Sequence, residues 1–294
     1  MNRARAMVNR RHGFVLVMVL LVLAVAGTSL TLVARESCRH ALRAAEAREQ
    51  LQCKWGSRSI RDYCLPQAER LLQAKEAETD RPEVEAPGRV ELGGMTFDWV
   101  VTDEQAKANV NCLAMKRTNS GLAGALRALQ SGLVEAPHVE LRPLELPSGP
   151  PASLARPYRT LDQLFRGLTP EQLGSFGGMP GAAGRVTCWG SGQVNFRRAE
   201  PIVLRETLAG VLTEEEITKL VRFRRKAPDC TLLEAMDALE LPGERRGPAM
   251  EAMTDMSRCH GLWVRATGRS RRWCRLYLDE VPNPLGKEPQ VFAW

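Results

Sequence analysis

Residues 14–34 carry no charged side chain, and nothing else in this 294-residue chain limits its fold so strongly. At about 1.5 Å of rise per residue, the run makes a helix roughly 31 Å long, which matches the hydrocarbon core of a bilayer. Ahead of it stand Arg3, Arg5, Arg10 and Arg11 with no acidic residue among them. The positive-inside rule keeps such a flank in the cytoplasm, so the residues after Ala34 are expected on the far side of the membrane.

Three fates for this stretch are consistent with its length and charge. A permanent signal anchor needs nothing further. A secretory signal peptide would be cut after Ala24-Val25-Ala26, before Gly27. The third rests on Gly13-Phe14, a glycine set between a basic leader and the phenylalanine that opens the apolar run. This junction resembles the leader of a type IV prepilin, which is cut after the glycine. Phe14 would then become the N-terminus, open to methylation, and the apolar run would stay attached.

Hydrophobic content of 44% and charged content of 26% describe a folded body beyond the anchor. Of the formal net charge of +7, four charges lie in the leader arginines, leaving +3 for the remainder. That balance gives little general attraction to nucleic acid. Eight cysteines (Cys38, Cys53, Cys64, Cys112, Cys188, Cys230, Cys259 and Cys274) permit disulfides outside the cytoplasm, but their order does not assign pairs. No Cys-x-x-Cys pair occurs, and Cys38-Arg39-His40 and Cys259-His260 are too sparse for a metal site.

Residues 35–78 are rich in Ala, Arg, Glu, Gln and Leu, so the membrane helix should continue into an amphipathic segment. Ala41, Leu42, Ala45, Leu51 and Trp55 are its candidate apolar stripe, and Pro66 should interrupt it. Residues 79–88 read as a loop. Residues 89–92 and 95–101 then flank Gly93-Gly94, the sequence of a tight β-hairpin, with Val90, Leu92, Phe97 and Trp99 as its buried face. Near the C-terminus, residues 261–267 and 272–279 alternate as two more strands, which should complete the sheet begun by the hairpin.

Between these strands lies the pattern Asp103-Glu104, Lys107, Asn109-x-Asn111, followed much later by Val194-Asn195 and a proline-started helix. With the leader, the order resembles the minor pseudopilin protein K family of type II secretion systems. The resemblance implies an α+β, pilin-like fold: a long N-terminal transmembrane and amphipathic helix packed on a small antiparallel sheet, with a large α-helical insertion. It divides the chain into leader (1–13), membrane helix (14–34), helix continuation (35–78), first strands (79–111), insertion (112–257) and last strands (258–294). It also implies a non-enzymatic tip subunit in the inner membrane with a periplasmic body. Its partners would be other minor pseudopilins, the major pseudopilin, the inner-membrane secretion platform and prepilin peptidase. No cofactor is required; family members bind calcium, but the many Asp and Glu residues here do not single out ligands. At the fifth position counted from Phe14 stands Met18, where most pilins carry a glutamate and protein K does not.

Within the insertion, residues 121–133 read as a helix and 136–157 as a proline-rich connection. Residues 158–164 and 168–173 are similar to the family's short helices, with Thr169 as N-cap and Pro170 at the first helical position. The glycine-rich loop 177–184 lacks a phosphate-binding pattern. Residues 199–240 resemble a helix-hairpin-helix unit, in which Leu212 stands where the second glycine of the turn belongs, and Thr213 and Glu216 match a capping box. Arg222, Arg224, Arg225 and Lys226 are its candidate phosphate contacts, although no nucleic acid is expected as a partner. Residues 244–257 read as a helix with Met250, Met253 and Met256 packed inward. His12, His40, His138 and His260 accompany no nucleophile motif, so no catalytic residue is assigned. A type IV pilus minor pilin and a membrane-anchored DNA-binding protein remain the alternatives.

Overall fold

The computed structural model describes residues 3–133, 136–142, 157–168, 181–268, 272–280 and 290–293, with side chains from Phe14 onward except at 272 and 290–293. Thr169, Pro170, most of the proline-rich connection, the start of the glycine-rich loop and the turn at 269–271 lie outside the described residues. The chain divides into two compact units, Met1–Lys54 and Trp55–Trp294.

Helix α1 (Arg3–Cys64) contains no proline, so nothing interrupts its hydrogen-bond ladder across the apolar run. In the first unit its apolar side chains from Phe14 to Val33 stand exposed. Among the described residues one helix is long and apolar enough to cross a membrane. Pro66 ends α1: a 3-10 turn, Leu65–Gln67, precedes α2 (Ala68–Thr79), which stops at Asp80 in the left-handed conformation with φ 52°.

The second unit is built on a five-stranded antiparallel sheet in the order β1-β2-β9-β10-β11. β1 (Glu85–Leu92) and β2 (Met95–Asp103) form the hairpin, and Gly93 and Gly94 take φ of 62° and 79°, as a type I′ turn requires. β1 begins inside the stretch read as a loop. Pro87 is tolerated there because β1 stands at the edge of the sheet among the described residues. β9 (Cys259–Thr267) and β10 (Arg272–Glu280) complete the sheet as the alternation at the C-terminus predicts, and β11 (Gln290–Ala293) adds a fifth strand that the sequence reading did not include.

The last turns of α1 and helix α2 cover one sheet face. Gly56, Ser57, Ile60 and Cys64 recur at helical spacing and are buried, and a Cβ at Gly56 would come within 2.3 Å of the Phe97 ring. The expected stripe is therefore displaced: Leu42, Leu51 and Trp55 are exposed, because small side chains rather than large ones let the helix approach the strand. On the hairpin, Phe97 is buried as expected, but Val90 and Trp99 are half-buried and Leu92 is exposed. Trp99 lies over its cross-strand partner Gly88, where a Cβ would meet the indole at 2.1 Å.

The opposite face, carrying Val100, Trp263, Leu276 and Leu278, shares one apolar core with the segment inserted between β2 and β9. That segment holds β3 (Ala108–Asn109), α3 (Val110–Lys116), α4 (Asn119–Leu129), β4 (His138–Val139) and β5 (Phe165–Arg166). It continues through β6 (Val186–Thr187), β7 (Val194–Asn195), α5 (Pro201–Leu208), α6 (Glu214–Lys226), α7 (Leu232–Leu239), α8 (Gly243–Ala252) and β8 (Met253–Thr254). The whole has the expected α+β composition, with a long N-terminal helix, a small antiparallel sheet and a largely helical insertion. Residues 158–164 form only a 3-10 turn, Leu161–Gln163, leading into β5. The helix expected over 244–257 stops at Ala252, because Met253 and Thr254 pair in parallel with Val194 and Asn195. Met253 is fully buried there while Met256 is exposed, so the three methionines do not share a face.

Candidate functional site

β2 ends by delivering Asp103 to the boundary between sheet and insertion. One carboxylate oxygen, Oδ1, accepts the backbone N–H groups of Gln105 (2.9 Å) and Ala106 (3.0 Å), capping the 3-10 turn Glu104–Ala106. The same oxygen accepts the Ser257 hydroxyl. Its other oxygen accepts the Asn195 side-chain amide at 2.9 Å and faces Arg198 at 3.4 Å.

Glu104 is turned beneath the sheet with no exposure and pairs there with Lys107 at 2.6 Å, the lysine side chain being only 1% exposed. The Thr102 and Thr187 hydroxyls donate to the same carboxylate at 2.7 and 2.6 Å. Burying an ion pair is costly unless its remaining polar valences are met, and these two hydroxyls meet the carboxylate's. Gly261 provides the room: a Cβ there would lie 2.6 Å from both Glu104 Oε1 and Thr102 Oγ1.

Asn109 caps α3 by accepting the N–H groups of Asn111 (3.0 Å) and Cys112 (3.3 Å), and donates to the Trp189 carbonyl at 2.8 Å. Asn111 donates to the carbonyls of Tyr158 and Cys188, each at 2.9 Å, and accepts the Tyr158 N–H at 2.8 Å. The structure thus brings Asp103, Glu104, Lys107, Asn109, Asn111 and Asn195 into one buried polar junction. Gly13, Phe14 and Met18 lie on α1 in the first unit, where the Phe14 and Met18 side chains are exposed.

Sequence reasoning missed the cation at the centre. Arg198 is bound by Glu69 at 2.7 and 2.8 Å and by Glu76 at 2.8 and 3.0 Å, besides facing Asp103. The spacing of Glu69 and Glu76, seven residues apart on α2, is the one signal that could have located a shared partner. Burial would raise the Glu69 carboxyl, but the contacts of His260 and Arg198 outweigh it and hold its pKa well below the usual carboxylate range. Arg198 is buried too, which would lower its pKa; Glu76, Glu69 and Asp103 more than reverse this. Burial pushes up the thiols of Cys188 and Cys259, reinforced by the nearby Glu104 charge.

The helix pair α5–α6 has a different character from the one its resemblance implies. Gly210 takes φ 83°, but the amides of Val211 and Leu212 both donate to the Leu208 carbonyl at 2.9 and 3.0 Å. A phosphate would need those donors. Three glutamates occupy the first turn of α6, and Arg224 is buried, donating to the carbonyls of Phe196 and Ala199 at 2.6 Å. Burial lowers the Arg224 pKa to about 10, with the Arg225 charge adding to the effect. Arg224 is thus a structural strut instead of a phosphate contact.

The carboxylates of the junction are engaged by lysine, arginine, amide and hydroxyl donors. Among the described residues no group of three or more His, Cys, Asp or Glu side chains is placed to hold a metal ion. The junction therefore does not fit the calcium that the resemblance admits.

No family model matches the chain, and no curated protein matches it. Among solved structures it is similar to a chain of the GspK-GspI-GspJ complex from the enterotoxigenic Escherichia coli type 2 secretion system. Identity is 15% and the TM-score 0.44, over 86% of this chain and 99% of that one.

Proposed function

We propose that the chain is a non-enzymatic minor pseudopilin at the tip of a type II secretion pseudopilus, where it helps start assembly and so supports protein export across the outer membrane. The observation that carries this reading is the convergence of the residues on which the resemblance rests. Asp103 and Asn195, 92 positions apart, meet at 2.9 Å, and the Asp103–Asn111 run closes the boundary between sheet and insertion. The motif thus serves in this chain to attach a helical insertion to the sheet.

In this reading prepilin peptidase cuts after Gly13, and Phe14 becomes a methylated N-terminus. The apolar helix holds the subunit in the inner membrane, N-terminus in the cytoplasm and body in the periplasm. Partners are the other minor pseudopilins, the major pseudopilin and the inner-membrane platform. Met18 gives the subunit no carboxylate with which to pair the terminal amine of a neighbour, and a charge in lipid is costly without a partner. A bulky insertion of this kind would hinder further subunits from stacking above it. The internal bonding of the Val211 and Leu212 amides supports leaving nucleic acid out of the partner set.

Deletion of the gene, read by export of the cell's secreted enzymes, tests the role: a large loss is expected, and undiminished export overturns it. N-terminal sequencing of the mature protein tests the processing. Phe14 is expected, whereas Gly27 would mark a secreted soluble protein and Met1 a simple anchor.

A further inference from the structure

Ala34 ends the uncharged run, and the next three arginines recur at intervals of four: Arg35, Arg39 and Arg43. All lie within α1, so neighbours in the set are about 40° apart around the axis and about 6 Å apart along it, and they share a face. All three are exposed. One carboxylate falls in the same stretch, that of Glu36, and it reaches Arg39 and His40, each at 3.4 Å and open to solvent. Arg35 and Arg43 have no ion pair among the described residues. Positive charge is in excess. Cleavage after Gly13 would leave Arg35 as the first charged side chain of the mature protein.

We propose that Arg35, Arg39 and Arg43 form a stripe that binds the phosphates of anionic lipid headgroups where the apolar run leaves the membrane. The inference rests on residues 14–34 spanning a bilayer, and goes beyond that reading by naming the lipid class the helix selects. A bilayer holds about 30 Å of hydrocarbon within about 40–45 Å overall, which leaves roughly 5–7 Å of headgroups on each side. Arg35 stands at the inner limit of that layer and Arg39 about 6 Å along, at its outer limit. Helical side chains lean toward the N-terminus of their helix, here back toward the membrane, so the long stem of Arg43 returns its guanidinium to the same level. The planar guanidinium fork matches phosphate oxygens. In a zwitterionic lipid an ammonium group already faces the phosphate, whereas an anionic headgroup such as phosphatidylglycerol has none. The stripe also fixes depth: moving the helix inward by a turn would carry Arg35 into hydrocarbon, where its charge is costly.

The test uses the full chain in phosphatidylcholine vesicles carrying a trace of spin-labelled phosphatidylglycerol or spin-labelled phosphatidylcholine. The fraction of each label held at the protein gives their relative affinity. The wild type should prefer phosphatidylglycerol, and the triple variant Arg35→Gln, Arg39→Gln, Arg43→Gln should lower that preference at least about threefold. The leader arginines are common to both proteins and cancel. A second variant, Arg48→Gln, Lys54→Gln, Arg58→Gln, removes as much charge from about 20 Å or more beyond Ala34, further than the Debye length of about 8 Å, and should keep the preference. An unchanged preference in the first variant, which would leave the stripe to an acidic protein partner, overturns the proposal, as does an equal loss in the second. Flotation with the vesicles separates the two readings. A chain that floats but shows no lipid preference removes the stripe alone, whereas one that does not float removes the span and the stripe together.

Discussion

Asp103 ends a strand, caps a 3-10 turn and anchors the insertion through Asn195, Ser257 and Arg198, so one side chain fixes where sheet gives way to helix. Its acidic neighbours on α2 reach the same arginine, which makes Arg198 the residue whose loss leaves the most charge uncompensated. Arg198→Ala should destabilise the protein by about 3–5 kcal/mol, the usual cost of removing one side of a buried ion pair. Chemical denaturation of the full chain in micelles measures it, and a loss below about 1 kcal/mol would show that water replaces the guanidinium. Asp103, Glu104, Lys107, Asn109, Asn111 and Asn195 were marked in the chain by the family resemblance, not by their spacing alone, and the structure shows them capping turns and pairing in the interior. Arg198 was not marked. It is one of 41 lysines and arginines, and its partners Glu76 and Glu69 lie 122 and 129 positions away. Gly261 was equally silent, since the atoms that exclude a Cβ there come from Thr102 on β2 and from Glu104 in the turn that follows it.

At the scale of elements, signals that act within a few residues were legible and those that depend on a partner surface were not. Gly93-Gly94 marked the hairpin and Pro66 the end of α1, because both act on the backbone where they stand. The capping box Thr213–Glu216 forms as its spacing predicts, and a second, Thr231–Glu234, starts α7 in the same manner. Thr213→Ala and Thr231→Ala should each cost about 1 kcal/mol, with serine at either position nearly neutral. Equilibrium unfolding of the two alanine variants checks this, and the costs should add because each box caps a different helix. The methionine spacing failed for the opposite reason. Pairing with β7 draws Met253 out of the helical path, and nothing within the 250–256 stretch signals a partner some sixty residues earlier.

The whole molecule divides at Lys54, and the burial that makes a core belongs to the second unit. A fragment of residues 55–294 should therefore stay folded in plain buffer and melt in a single cooperative step, followed by circular dichroism. A broad transition would mean that the preceding helix is needed to hold the body together. Within that unit the sheet closes around a long detour: Asp98 of β2 accepts a hydrogen bond from Arg265 of β9, 167 positions later. Contacts so distant in the chain slow folding, since a large loop must close before they form. During synthesis the hairpin emerges early with one side of β2 open, and the strand that covers it arrives only after the entire insertion has been made. While the insertion is being made the hairpin is therefore an uncovered ribbon, and the Arg198 clamp can close only when the insertion has followed.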